Sequence, residues 1–242
     1  PLTSLKRTPD GDDIGMATFS VLLGIMIAIG YGTQTIGLQS ILSSESAFLT
    51  ALYVPLVPIL MWVIFQKSPS LMTWIGSALA FTGLVLLTGN GFYNITLSYG
   101  QVLTLICALV IALEIILIGY FAGRVNLRRV TVIQLMVAAL LSFASMPLVG
   151  EHQLPAFSWP LLLIATGLGL ASALIQFVMN WAQSMVDPSR AAIIYAGEPV
   201  WAGVFGRIAG ERLPLLALFG GCLVVLGVLV SELKLLEKKK ES

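Results

Sequence analysis

The sequence predicts an all-α integral membrane protein with eight transmembrane helices. Three observations predict it. Hydrophobic residues fill 57% of 242 positions and charged residues only 10%, against roughly 25% charged in ordinary globular chains. Apolar runs close to the roughly 20 residues that cross a bilayer core recur along the whole chain. Those runs are apolar all round, whereas β-barrel strands alternate over short segments.

The eight segments run 15–38, 46–66, 71–89, 99–121, 130–149, 158–182, 189–208 and 215–233. A polar stretch carrying Lys6, Arg7 and Asp10 precedes the first. It lacks the apolar run and small-residue cleavage site of a signal peptide and reads as an internal loop. Ser68–Pro69–Ser70 separates the second and third segments, and Gly89–Asn90–Gly91 ends the third. Asp187–Pro188–Ser189 opens the seventh, Asp187 suiting an N-cap and Pro188 the first helical position. Trp62, Trp74 and Trp159 fall near segment ends, where an interfacial aromatic belt lies.

Basic residues orient the chain. Eight spans put Lys6, Arg7, Lys67, Arg124, Arg128, Arg129, Arg190, Lys234, Lys238, Lys239 and Lys240 on one side, and only Arg207 and Arg212 on the other. By the positive-inside rule the crowded side is cytoplasmic, so the C-terminus is cytoplasmic in a multi-pass protein of the cell (inner or plasma) membrane.

Several function classes drop out. A net charge of +1 leaves no nucleic-acid footprint. Cys107 and Cys222 lie in apolar runs and read as small core residues. The single histidine, His152, sits in a polar connection, which speaks against haem, zinc or His-based catalysis. There is no GxxxxGK loop, no HExxH and no intramembrane Ser/His pair. The reading is therefore not an enzyme, with no cofactor and no metal, and any transport draws on a gradient, on the substrate's own gradient or on an external partner.

The chain also repeats. A gap-free shift of 144 residues superposes the second and third segments on the seventh and eighth. It pairs Gln39 with Gln183, Ser40 with Ser184, Ala47 with Ala191, Pro55 with Pro199, Gly76 with Gly220 and Gly83 with Gly227. Proline and glycine matches weigh most, because both residues do backbone work. Five spans separate equivalent points, so the copies are inverted in the membrane, a hallmark of secondary transporters. The second copy holds five helices (98–242) and the first only three (1–97), so two further N-terminal helices, and ten in all, are expected.

Ala191 to Leu213 reads AAIIYAGEPVWAGVFGRIAGERL, with Glu198–Pro199 followed by Gly210–Glu211–Arg212–Leu213. This resembles the closing motif of the EamA-type transporters of the drug/metabolite transporter superfamily. GYGTQTIGLQ (Gly30 to Gln39) and SAFLTALYVPLVPIL (Ser46 to Leu60) resemble the same family's first repeat. The resemblance implies two inverted five-helix repeats, cytoplasmic termini and transport of small metabolites such as amino acids, frequently outward. An uptake permease and a non-transporting membrane scaffold are the alternatives.

The candidate site follows from polar groups inside the spans. A midplane carboxylate costs about 2.5–3.5 kcal/mol on insertion scales, so it faces a cavity or a partner. Glu198 is such a group: it binds a substrate amine, couples to protons, or ties the kink at Pro199 to a neighbour. Glu114 is the other intramembrane acid. Gln34 and Asn180 are amides that line a cavity or join helices. Tyr31, Tyr53 and Tyr195 are candidate cavity aromatics, and Pro55 and Pro199 are candidate kinks for gating. Arg207, Glu211 and Arg212 read as a local salt-bridged turn, with a gate on the outer vestibule as the alternative, and Gly206/Gly210 as a close-packing pair, with a dimer contact as the alternative. The expected partners are a small-molecule substrate, the lipid bilayer and protons as a candidate coupling ion.

Overall fold

The structure, a computed structural model, describes residues 13–66, 70–87, 97–121, 126–153, 155–185, 195, 198–212 and 214–237. The described residues are helical, with no strand among them. The elements are α1 (Asp13–Gly37), α2 (Ser43–Thr50), α3 (Tyr53–Phe65), α4 (Leu71–Leu87), α5 (Tyr99–Phe121), α6 (Leu127–Ser145), α7 (Trp159–Gln183), α8 (Glu198–Ile208) and α9 (Leu215–Glu237). A 3₁₀ turn, Met146–Val149, follows α6. Helix is the form these runs must take, because lipid offers no partner for a backbone N–H or C=O left open.

Among the described residues, five stretches are long and apolar enough to cross a membrane: Gly15–Gly37, Ser43–Phe65, Tyr99–Phe121, Arg128–Val149 and Trp159–Gln183. Trp74–Leu86 and Leu218–Val230 are shorter apolar helices. Of the seventh segment, α8 and Tyr195 are described; Asp187 and Pro188 lie outside the described residues, as do Lys67 and Gly89–Asn90–Gly91.

Local signals set the helix ends. Ser98 and Gln101 form a reciprocal capping box at α5: the Ser98 amide donates to Gln101 Oε1 (2.8 Å) and the Gln101 amide to Ser98 Oγ (3.2 Å). Asn126 Oδ1 accepts from the Arg128 amide (3.2 Å) to start α6. Ser158 Oγ accepts from the Leu161 amide (3.3 Å) to start α7.

The second segment, expected as one helix over 46–66, starts at Ser43 and breaks at Ala51–Leu52. Pro55 explains the break. It has no N–H to donate to the Ala51 carbonyl, which accepts instead from Val54 (3.1 Å) in a tightened turn. The kink thus falls one turn before Pro55. By contrast, α1 is continuous through Gly30 and Gly32.

The chain divides into two compact units: residues 1–28 with 118–185, and residues 29–117 with 186–242. In the first, Gly24 lets α1 approach α6 closely. A Cβ there would stand 2.6 Å from the Gln134 carbonyl oxygen and 2.6 Å from Val137 Cβ. The outer faces of α6 and α7 expose Leu140, Phe143, Leu163, Leu168, Leu170 and Leu174. So large an apolar surface suits lipid, not water.

In the second unit, Tyr53, Val54, Val57, Ala108, Ala112, Ile115, Ile116 and Val228 form one core cluster. Phe48, Leu49, Leu52, Ala80, Leu84 and Val224 form another. Helices α4 and α9 meet backbone to backbone. A Cβ on Gly83 would lie 2.5 Å from the Gly220 oxygen and 2.7 Å from the Val224 amide. A Cβ on Gly227 would lie 2.5 Å from the Gly76 oxygen and 2.6 Å from the Ala80 amide. Small residues permit such approach, and van der Waals packing is the main attraction between helices in lipid. Trp62 and Trp74 pair edge to face at 5.8 Å where α3 ends and α4 begins. Cys107 is buried, but Cys222, read as a core residue, is exposed.

Because the obstructing atoms at the seam are backbone, Gly83→Ala and Gly227→Ala force α4 and α9 apart. Each is expected to lower stability by about 1–3 kcal/mol. Gly32, with nothing within 4 Å of its Cβ position, is the control: Gly32→Ala should be neutral or gain up to about 1 kcal/mol from helix propensity. Thermal unfolding in detergent checks both.

Candidate functional site

A polar track runs along α2 and α3 of the second unit. Ser43, Ser46, Thr50 and Tyr53 are spaced three, four and three residues apart, which places them on one helical face. Ser46, Thr50 and Tyr53 are buried. Thr50 Oγ1 donates to the Ser46 carbonyl (2.8 Å) and accepts from Gln34 Nε2 (3.4 Å). The Ser46 and Tyr53 hydroxyls have no hydrogen-bond partner among the described residues. A buried hydroxyl left open costs free energy, and such groups call for an explanation.

The far end of the track is acidic. Glu198 stands at the head of α8; its charge reaches both Tyr53 and Cys107, and the charge of buried Glu114 reaches Cys107 as well. Tyr195 packs against the cluster that holds Tyr53 and also lies within electrostatic reach of it. The structure therefore draws Tyr53, Glu114, Tyr195 and Glu198 into one neighbourhood of the second unit, with Gln34 at the kink. Tyr31 is 41% exposed on α1 and has no described link to that group.

Asn180 belongs to the first unit. There it is buried and its Nδ2 donates to Thr131 Oγ1 (3.0 Å), while Gln134 Nε2 donates to Gln176 Oε1 (3.4 Å). These pairs join α6 to α7, so Asn180 acts as helix glue in this structure.

The near end of the track is closed by Glu211. Its Oε1 accepts from the Ser43 amide (3.0 Å) and hydroxyl (2.6 Å). Its Oε2 accepts from the Ser44 amide (3.1 Å) and hydroxyl (2.6 Å). The carboxylate so caps α2, whose first N–H groups have no partner within the helix. A Schellman turn aims it: Glu211 N–H donates to the Gly206 carbonyl (2.9 Å) and Gly210 N–H to Arg207 (3.2 Å), with Gly210 at φ +95°. Beside it, Gln101 Nε2 donates to Glu45 Oε1 (2.7 Å), tying α2 to the start of α5.

The expected local salt-bridged turn is corrected by this geometry: Glu211 reaches the serines of α2 because the positive-φ glycine turns it away from its own segment. Gly206 and Gly210 also differ from the close-packing expectation. A Cβ on Gly206 would strike Glu211 Oε2 at 2.6 Å, whereas Gly210 faces open space and supplies the positive φ.

The profile of the EamA-like transporter family matches residues 2–89 and 98–233. The chain belongs to the EamA-like transporter family. It is 29% identical over 226 residues, 93% of this chain and 69% of the relative, to a protein of Archaeoglobus fulgidus described as an uncharacterized transporter. A protein of solved crystal structure shares the fold at a TM-score of 0.57 and 19% identity, over 93% of this chain and 90% of that one. This EamA-family protein is thus a multi-pass membrane transporter.

Burial alone would raise the Glu211 carboxyl. The Ser43 and Ser44 hydroxyls and amides outweigh that and hold it at about 2, below its ordinary 4.5. A carboxyl depressed in the folded state adds stability that is complete above its unfolded value and lost as pH falls through its folded value. The melting-temperature gap between wild type and Glu211→Gln should stay constant from about pH 5 to about pH 8, narrow as pH falls below about 4.5 and close near about pH 2. A gap that widens on acidification would contradict this.

Proposed function

We propose that this protein is a secondary transporter that moves small amino-bearing metabolites, amino acids or close relatives, out of the cell by alternating access. The observation that carries the reading is the pair of intramembrane acids, Glu114 and Glu198, on one neighbourhood with the open hydroxyl of Tyr53. The segments that form this neighbourhood contain no Lys or Arg between 29 and 66 or between 99 and 121. An ammonium group is the complement of such a site. Protons are the natural coupling ion, since the same carboxylates can carry them.

The eight-span, inverted-repeat architecture is supported by the glycine seam. The approach of Gly83 to Gly220 and that of Gly227 to Gly76 interchange under the 144-residue shift, as do Val224 and Ala80. Two copies related by a pseudo-two-fold axis between α4 and α9 would make that contact twice. Transporters with inverted repeats hold substrate near the midplane and rock one half against the other. The charge bias then puts the C-terminus in the cytoplasm and the α8–α9 turn, with Arg207 and Arg212, outside.

Metabolite profiling of medium and cytosol, with cells expressing the protein or its Glu198→Gln form, tests this. One amino-bearing compound should build up in the medium with the unmodified protein alone. Tyr53→Phe should slow that export about tenfold, one hydrogen bond's worth. Build-up inside the cells would make the protein an uptake permease, and an unchanged profile in both compartments would leave a scaffold.

A further inference from the structure

We propose that Glu211, Ser43 and Ser44 form a latch that holds one mouth of the transport path shut, and that α2 is the moving part it releases. This rests on the alternating-access reading above. The latch stands at the head of the polar track: Ser43 occupies the same helical face as Ser46, Thr50 and Tyr53, which leads inward to Glu198. A contact that shuts a mouth must be strong when formed and replaceable by water when broken. Two serine hydroxyls and two amides on one carboxylate, at a span end, meet both needs.

The build of α2 fits a moving part. It is eight residues long, it is cut from α3 at Ala51–Leu52, and the turn over Leu38–Leu42 separates it from α1. Its other polar ties among the described residues, Glu45 to Gln101 on α5 and Thr50 to Gln34 on α1, supply a pivot that survives when Glu211 lets go. Phe48 seats α2 on α8 and α9 through contacts at Gly203 and Gly221, where a Cβ would come within 3.4 and 2.9 Å of its ring. Such a seat is apolar and non-directional. Directional closure therefore falls to Glu211. The carboxylate fits only because Gly206 has no side chain, so the latch depends on one glycine for space and on Gly210 for aim.

Spin labels at Leu42 and Arg212, both exposed and flanking the latch, read its state without any substrate. In reconstituted wild-type protein the distance between them should be mainly short with a minor longer population. Glu211→Ala should raise the ratio of long to short at least tenfold, and the milder Ser43→Ala with Ser44→Ala should raise it in the same direction. A locking arm runs the other way. The Gly206 Cβ position lies 3.3 Å from Ser44 Cβ, close to disulfide reach, and trimming Glu211 frees the space. Oxidised Ser44→Cys with Gly206→Cys in the Glu211→Ala background should restore the short distance, and reduction should release it. A single short distance that neither Glu211→Ala nor the serine pair changes would overturn the latch. That result would leave the export reading standing, and failed export would leave the distance result unchanged, so the two claims fail separately.

Discussion

Lipid offers no hydrogen bonds, and most of this structure answers that constraint. Every polar side chain placed inside a span must find a protein partner or face a water-filled path. The first unit takes the former course, pairing Gln134 with Gln176 and Asn180 with Thr131 across two helices. In the second, the Ser46 and Tyr53 hydroxyls have no hydrogen-bond partner among the described residues, and the charge of Glu198 reaches Tyr53. The amide pairs of the first unit tie helices together, while Gln134 Oε1 there, like the two hydroxyls of the second unit, has no hydrogen-bond partner among the described residues.

The apolar majority packs by a different rule. Helices in lipid gain little from hiding apolar surface, so close contact must come from shape. At α4 and α9 that shape is a pair of glycine approaches, each bringing one backbone against the other. The rigid seam and the short, twice-interrupted α2 are complementary. One gives the second unit a close-packed spine, and the other gives it a short element seated on apolar contacts through Phe48 and Leu49 and oriented by a few polar ones that water can replace.

Much of this was legible in the sequence. Run length and composition located the helices to within a few residues, and α5 matches its expected bounds of 99–121. Glu198, Glu114 and Tyr53 stood out because an acid or a hydroxyl inside an apolar run has few innocent explanations. The glycines of the seam stood out because they repeat. The Glu211 cap did not. Its partners lie 168 and 167 residues away, and a helix capped from another segment leaves no local motif. Repetition could not disclose it either, since the 144-residue shift pairs Glu211 with Lys67. Pro55 was legible as the cause of a kink, and the break itself falls one turn earlier, at the carbonyl that loses the proline's N–H. Ser46 and Thr50 were visible as a spacing with Ser43 and Tyr53, yet small hydroxyl residues bond their own backbone so readily in helices that spacing alone carries little weight.

The central claim is that the acidic neighbourhood around Glu198 is reached by water from both faces of the membrane, one face at a time. It is tested most directly by placing a single cysteine at 198, with Cys107 and Cys222 replaced, in sealed proteoliposomes of known orientation. A membrane-impermeant thiol reagent should label that cysteine when added on either side. Labelling from one side only would make the neighbourhood a blind pocket, and labelling from neither would make Glu198 a structural group buried in protein or lipid; either result would contradict the account.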